Sequence, residues 1–438
     1  MAEQSKVVIV PKLRFPEFRE GGEWVAERMD SLYSFLRSNA LSRDKLNYKD
    51  GTVKNVHYGD IHTKFSALFD ITKEQVPYVN DTEKVPETDS DDYCVEGDLI
   101  LTDASEDTND VGKCIEVVHL KGQLLLAGQH TILARRKTNK LIVGFGGHLF
   151  RSAQVRRQVE KEAQGTKVYA ISPTRLAGIE IAFPRNKSEQ KKIALCLTSL
   201  DAVIAAQRRK VEVLRSLKRG LVQQLFPREG ETLPCLRFPE FASSGAWHFQ
   251  RISSLVSKTS HSVPVEPNTM YREIGIRSHG KGIFHKAPVL GKVIGEKRVF
   301  HVIRNALVLN IVFAWEQAVA ITSENEVGMI ASHRFPMYVA RRGKCDVAYL
   351  KEFFLTQIGK HLLGVASPGG AGRNKTLGQK EFESLKILLP RTVSEQAQIA
   401  NCLSSLDMEI AAELSKLVAL TTHKEGLMQR LFPAPRKV

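Results

Sequence analysis

From Ser188 onward the apolar residues recur at alternating steps of four and three: Ile193, Leu197, Leu200, Ile204, Val211, Leu214, Leu221 and Leu225. This is the heptad seam of a helix that packs on another helix. The seam skips two places, Gln207 and Lys218, where an apolar residue is due. A second seam runs Ile399, Leu403, Leu406, Ile410, Leu417, Leu420, Leu427 and Leu431, and its interruptions, Glu413 and Lys424, fall at the same two places. Ser188 and Ser394 are predicted N-caps, each followed by a Glu that suits the positive end of the helix dipole. Pro227 and Pro433 stop the helices. Ser188 to Phe226 would make an arm about 58 Å long, too long for the core of one small domain. The polar faults favour an antiparallel coiled coil in which Lys218 faces Glu413 and Gln207 faces Lys424. Buried charges add little net stability but select register.

The repetition extends beyond the arms. Leu13 to Phe18 (LRFPEF) recurs letter for letter at Leu236 to Phe241, and Trp24 recurs as Trp247, all at an offset of 223. Ser188-Glu-Gln190 recurs as Ser394-Glu-Gln396, and Ser199 to Pro227 aligns without gaps on Ser405 to Pro433, at an offset of 206. The two middles have therefore diverged while their edges have not. A period of about 200 residues excludes a solenoid, whose units run about 20 to 50 residues.

Within each middle, strand-like runs (98–102, 131–134, 306–309, 337–340) alternate with Gly, Asn and Asp turns. A helical pattern follows at 145–160 and 346–363, and an apolar run ended by Pro184 or Pro390 precedes each arm. The predicted fold is α+β: module 1–184, arm 185–228, module 229–390, arm 391–438, with the arms as an antiparallel coiled coil and the whole pseudo-two-fold symmetric.

Composition narrows the partners. Of 438 residues, 63 are Lys or Arg and 48 are Asp or Glu, a net +15 that favours a phosphate-rich or acidic partner. The excess is uneven. Residues 1–184 are near neutral, with twelve acidic residues and one Lys between Asp81 and Asp110, whereas 185–228 and 229–390 each carry +8. The longest nearly apolar run, Ala306 to Trp315, is broken by Asn310 and falls short of the roughly 20 residues that span a bilayer. With no signal-peptide pattern at the N-terminus, the expected location is the cytoplasm. The six cysteines lack any Cys-x-x-Cys pair and read as buried thiols.

No catalytic signature occurs: no Asn/Asp-Pro-Pro-aromatic motif, no Walker A loop, no His-Glu-x-x-His. Gly144-Phe-Gly-Gly147 lacks the strand and helix context of a dinucleotide loop and reads as a turn. His57, His62, His119, His130 and His148 lack ligand spacing, so neither a catalytic nor a metal site is expected. What remains is binding. In YREIGIRSHGKGIFHK, Arg272, Arg277, His279, Lys281 and Lys286 are long donors among turn-forming glycines, suited to phosphates or to guanine O6 and N7. Arg373, Asn374 and Lys375 stand on a glycine-rich loop. The first module offers Gln164, Lys167 and Tyr169, and in the stretch HYGDIHTK Tyr58, His62 and Lys64 are further DNA-contact candidates.

The doubled LRFPEF…W opening, the Ser-Glu-Gln helix starts, the Ser-Leu-Asp heptads and the Leu-Phe-Pro stops together resemble the specificity subunits of type I restriction-modification systems. The stretch EIGIRSHGKGIF is similar to one in many target-recognition domains of that family. The resemblance implies a non-catalytic subunit that reads a split, asymmetric site on double-stranded DNA with two target-recognition domains. It also implies that conserved helices set the spacing, that two methyltransferase subunits dock on them, and that motor-nuclease subunits join for restriction. No cofactor is expected in this chain; S-adenosylmethionine, ATP and Mg would belong to the partners. The competing expectations are a coiled-coil scaffold without a DNA role and a DNA-modifying enzyme with an unrecognised site.

Overall fold

The computed structural model describes residues 9–88, 90–369 and 375–433. The chain divides into two compact units, one running to Arg208 and resuming at Ser415, the other spanning Arg209–Leu414. Both divisions fall inside a helix: the first arm is Lys187–Leu225 and the second Val393–Leu431, 39 residues each. Each helix begins earlier than the predicted caps. The Asn186 side chain accepts from the Ser188 amide at 2.8 Å, and the Thr392 hydroxyl accepts from the Glu395 amide at 3.2 Å. Ser188 and Ser394 therefore lie in the first turn, because a capping oxygen must precede the free amides it satisfies.

In the first unit a five-stranded sheet has the order Tyr33–Leu36, Thr131–Arg136, Leu99–Thr102, Cys114–His119, Leu68–Asp70. It is antiparallel apart from the last pair. Its central strands are apolar without alternation because both faces are covered. Leu99 and Leu101 enter a core shared with Trp24, Ile193 and Leu197, while Ile100, Ile115 and Leu133 enter a second core with Phe65 and Phe69.

The second unit repeats the scheme with four antiparallel strands, ordered Val256–Thr259, Met337–Ala340, Leu307–Leu309, Val319–Ile321. Leu307 and Leu309 face Trp247 and Leu403, and Val308 faces Ile274 and Ala331. In each unit a short strand pair joins the opening of the module to its end: Val25–Arg28 with Glu180–Phe183, and His248–Arg251 with Lys386–Leu389.

The repeated sequence markers meet in space. Arg14 donates through Nε and Nη2 to the two oxygens of Glu189, each at 2.7 Å, and the Trp24 indole donates to Glu189 at 3.3 Å. In the second unit Arg237 and Trp247 hold Glu395 in the same way, at 2.7, 2.8 and 3.2 Å. The two carboxylates are buried. The neighbouring glutamines tie the same helix starts to the modules: Gln190 bonds Ile142, Lys140 and Pro184 backbone groups, and Gln396 bonds those of Asp346 and Pro390. The Leu-Phe-Pro stops close the cores, Phe432 lying edge-on to Trp24 at 6.3 Å and Phe226 edge-on to Trp247 at 6.4 Å.

The arms run antiparallel within each unit: Ile193 and Leu197 share a core with Leu431, and Leu225 shares one with Ile399 and Leu403. Their register differs from the predicted one. Lys218 is bound to Asp407 at 2.6 Å and lies 3.5 Å from Glu352, not against Glu413. Lys424 is bound to Asp201 at 2.5 Å rather than set against Gln207, and Glu413 receives Lys210 at 2.8 Å. Each seam lysine thus reaches the aspartate of a Ser-Leu-Asp triplet beside the seam. Its stem covers apolar surface while its ammonium keeps some water, which avoids the desolvation cost of a fully buried pair. A double-mutant cycle is expected to give about 0.5–1 kcal/mol of coupling for Lys218 with Asp407, and about zero for Lys218 with Glu413.

Glycine-rich Gly144–Gly147 encloses an internal carboxyl group. Glu116 accepts from the Gly144 and Gly147 amides at 3.0 and 2.7 Å, while burial pushes its carboxyl up to about 7. On the following helix, Gly146–Phe150, His148 lies 3.0 Å from the Thr198 hydroxyl of the first arm. Burial holds His148 down to about 4, against 6.5 for a free imidazole, with Lys424 and Arg151 lowering it further and Asp201 opposing. The unfolded chain therefore takes up this proton near 6.5 and the folded chain only near 4. Glu116, whose carboxyl is held above its free value of 4.5, takes up its proton on folding and opposes this over much of the same range. The His148 contribution is therefore a difference between proteins: His148→Gln is expected to gain stability relative to wild type as pH falls from 6.5 towards 4, read by pH-resolved hydrogen exchange.

Candidate nucleic-acid interface

The second module presents its candidates on a hairpin. Ile274–Ile276 pairs antiparallel with Ile283–His285. Gly275 is required where it stands, since a Cβ there would fall 2.3 Å from the Phe284 ring. That ring lies under the Arg277 guanidinium, 4.9 Å from its centre, a cation–π contact that orients the fork while leaving its donors outward.

The turn is held in the left-handed region at His279 (φ 59°), Gly280 (φ 65°) and Gly282 (φ 76°). Its tip is tied down by the His279 and Gly280 amides, which donate to the Glu316 and Gln317 carbonyls at 2.7 and 3.0 Å. Arg277, His279 and Lys281 are exposed along a groove of about 420 Å³ that they share with Asn310, Phe313 and Phe335. His279 is not a glycine yet adopts a conformation that favours one, and its imidazole is exposed.

The remaining candidates of this module separate. Lys286 lines the groove, but its ammonium is bound to Glu273 at 2.9 Å. Arg272 is exposed but does not line the groove. Lys375 sits over the Trp315 ring at 5.5 Å. Arg373 and Asn374 lie outside the described residues. Asn310, Phe313 and Trp315 escaped the sequence reading although they end the apolar run at 306–315. Asn310 was the signal: its side chain accepts from the Val312 amide at 3.1 Å and turns the chain out of the strand, so that Phe313 reaches the groove.

In the first module Tyr58 opens a short helix, Tyr58–Thr63, and its ring contacts three imidazoles: His57 at 4.5 Å, His62 at 6.1 Å and His130 at 5.3 Å. Burial, then Arg43, lowers the His57 pKa, and burial lowers that of His62. Lys64 is engaged by Asp60 at 2.9 Å and lies 3.4 Å from the Tyr48 hydroxyl. Arg43 donates through Nη1 and Nη2 to the two oxygens of the same Asp60, at 2.9 and 3.0 Å, a contact no local motif announced.

Gln164, Lys167 and Tyr169 form a second turn, whose strand Tyr169–Ala170 pairs with Ala104–Ser105. Asp103, next in the chain, lies 3.4 Å from His130, which links this turn to the Tyr58 cluster. The first module thus joins Tyr58 and His62 directly, whereas Tyr169 packs against the core shared with the arm. Gln164 and Lys167 are exposed on the same turn as Tyr169. Among the described residues no group of three or more His, Cys, Asp or Glu is placed to hold a metal. Cys235 is exposed, contrary to the expectation of buried thiols, and Cys196 and Cys402 are half-buried. No helix among the described residues is long and apolar enough to cross a membrane.

Over its whole length this arrangement matches solved proteins. The S subunit of a type I restriction-modification system from M. genitalium superposes with a TM-score of 0.60 at 14% identity, covering 97% of this chain and 99% of that one. The chain has the type I specificity-subunit fold. A second structure, from work on complex assembly and conformational transition of the type I system, gives a TM-score of 0.50 at 14% identity over 94% of this chain and 97% of its own. By sequence, the chain is 22% identical over 431 residues to a putative type I restriction enzyme MjaX specificity subunit of Methanocaldococcus jannaschii, spanning 95% of this chain and 94% of the relative. No family model matches.

Within this specificity-subunit fold the hairpin tip is a candidate reader. Arg277→Ala or Lys281→Ala is expected to lower discrimination at one half-site by about 1–3 kcal/mol, as loss of a base contact does. Lys286→Ala is expected to change little, because its charge is already met by Glu273. Competition binding with duplexes altered in one half-site at a time checks both outcomes.

Proposed function

We propose that this chain is the non-catalytic DNA sequence-recognition subunit of a type I restriction-modification complex. The observation that carries the proposal is the likeness to type I specificity subunits along nearly the full chain, in sequence and in fold. It is supported by the two modules, each fastened to its arm by the same Arg–Trp–Glu contact yet presenting unlike candidate surfaces. Residues 1–184 and 229–390 act as target-recognition domains and 185–228 and 391–438 as conserved arms. Because one domain offers Tyr58, His62, Gln164, Lys167 and Tyr169 while the other offers Arg272, Arg277, His279, Lys281 and Lys375, the two half-sites differ and the target is asymmetric.

Two methyltransferase subunits dock on the arms, and motor-nuclease subunits complete the restriction complex. The arms carry apolar side chains suited to such docking: Val213, Leu217 and Met408 in one unit, Leu195, Val203 and Val418 in the other, all at least half exposed. S-adenosylmethionine, ATP and Mg serve those partners, and the complex works in the cytoplasm.

Expression of this chain with its methyltransferase subunit is expected to place modified adenines genome-wide at a split, asymmetric motif. An unsplit motif would contradict the two-reader scheme. DNA modified or cut by the purified chain alone would favour an enzyme, and no binding to duplex DNA, with or without the methyltransferase, would favour a scaffold.

A further inference from the structure

Residues 209–414 hold 28 Lys and Arg against 18 Asp and Glu, a net of +10 out of the chain's +15. Part of this charge converges on a cleft of about 1530 Å³ that adjoins the hairpin groove, lined by the C-terminal half of the first arm, by residues of the second module and by Asp407 and Ile410 of the second arm. Besides Arg215 and Lys218, six cationic or imidazole side chains line it: Arg219 and Arg228 from the arm and its exit, His279 and Lys281 from the hairpin tip, His361, and Lys386 from the closing strand. None of the six has a carboxylate partner among the described residues; Arg219 bonds only the Ser216 hydroxyl. The cations nearby are already satisfied, Lys218 by Asp407 and Glu352 and Arg215 by Glu212.

Unpaired cations gathered along one cleft repel each other and are relieved by a polyanion. The cleft is also continuous with the candidate reading surface, since His279 and Lys281 line both it and the groove. The two are fixed against each other at the hairpin tip. A Cβ on Gly280 would fall 2.6 Å from Leu355, so the tip lies flush on the cleft wall. Gln317 next to it donates to the Phe354 and Thr356 carbonyls at 3.0 and 3.3 Å.

We propose that this cleft holds the phosphate backbone of the DNA beside the half-site read by the second module, so that the first arm is itself a DNA-contacting element. The proposal rests on the DNA-recognition function and assigns to that function a phosphate track, with Arg219 and Lys386 as backbone contacts that carry no sequence information. Of the four acidic residues on its lining, Glu352 and Asp407 are met by Lys218, and Glu229 and Glu231 near the arm's exit bound the track at that end.

The test is the salt dependence of binding by the full chain in complex with its methyltransferase subunit, on a duplex carrying the cognate motif and on an unrelated duplex. Each neutralised phosphate contributes a slope of about −0.9 in log K against log salt. Arg219→Gln and Lys386→Gln are each expected to make the slope shallower by about 0.9, and the double variant by about 1.8, with the ratio of cognate to unrelated affinity unchanged. Thermal midpoints equal to wild type exclude misfolding; both side chains are surface groups, so a variant that fails to fold is replaced by Arg228→Gln or His361→Gln.

Unchanged slopes overturn the proposal. So does loss of methyltransferase assembly in size-exclusion chromatography with DNA binding by the remaining chain unaltered, which would make the cleft a protein-docking surface. If the wild-type complex shows no sequence preference at all, the DNA-recognition function fails instead, before the variants are compared.

Discussion

Everything else in this protein hangs on a buried carboxylate at the second residue of a three-residue motif, Glu189 in one unit and Glu395 in the other. Each sits in the first turn of a long helix, where the dipole favours negative charge, and each takes a forked arginine and an indole from the opening of its module. A buried carboxylate stripped of such donors costs several kcal/mol, and about 3–5 kcal/mol is the usual penalty for breaking a buried pair. The contact therefore fixes where a module must sit on its arm. With Gln190 and Gln396 tying the same turn to the strand and helix of the module, start, middle and end of each module converge at one helix origin.

That anchoring leaves the rest of each module free to vary. In both units the central sheet turns one face to the arm core, through Leu99 and Leu101 or Leu307 and Leu309, and the other to a separate core further out. The outer cores differ in composition and in the loops they support: a Tyr58 and imidazole cluster in the first, a glycine-rich hairpin capped by Arg277 in the second. Loops of this kind can change without disturbing the carboxylate anchor, so one fixed frame can carry surfaces that differ between the two modules.

The arms resolve a conflict between charge and packing. A lysine in a heptad seam would be expensive if its ammonium stayed there, and a seam glutamate opposite it would only halve the problem. Lys218 and Lys424 instead lean out to Asp407 and Asp201, so that the seam keeps their methylenes and the charges keep water. Glu413, itself buried, is met from outside the seam by Lys210. The heptad count locates these polar faults but not their partners, because Asp407 and Glu413 lie six residues, nearly two turns, apart and only the packed register decides which of them the lysine meets.

The sequence alone determined what repeats, two modules, two long arms, the heptad seams and the α+β pattern of strands and helices, together with the glycine turns among which Arg277, His279 and Lys281 stand. These follow from local periodicity and from identity between distant segments, both of which are properties of the string. Only the tertiary structure decided what long-range contact decides. It moved the helix caps to Asn186 and Thr392, turned Lys218 and Lys424 from Glu413 and Gln207 to aspartates, spent Lys64 and Lys286 on internal carboxylates, and brought Asn310 and Phe313 to the groove. It also revealed that the Gly144–Gly147 stretch encloses the side chain of Glu116. A charge in a sequence is only a charge; whether a fold has already answered it depends on neighbours that lie tens or hundreds of residues away.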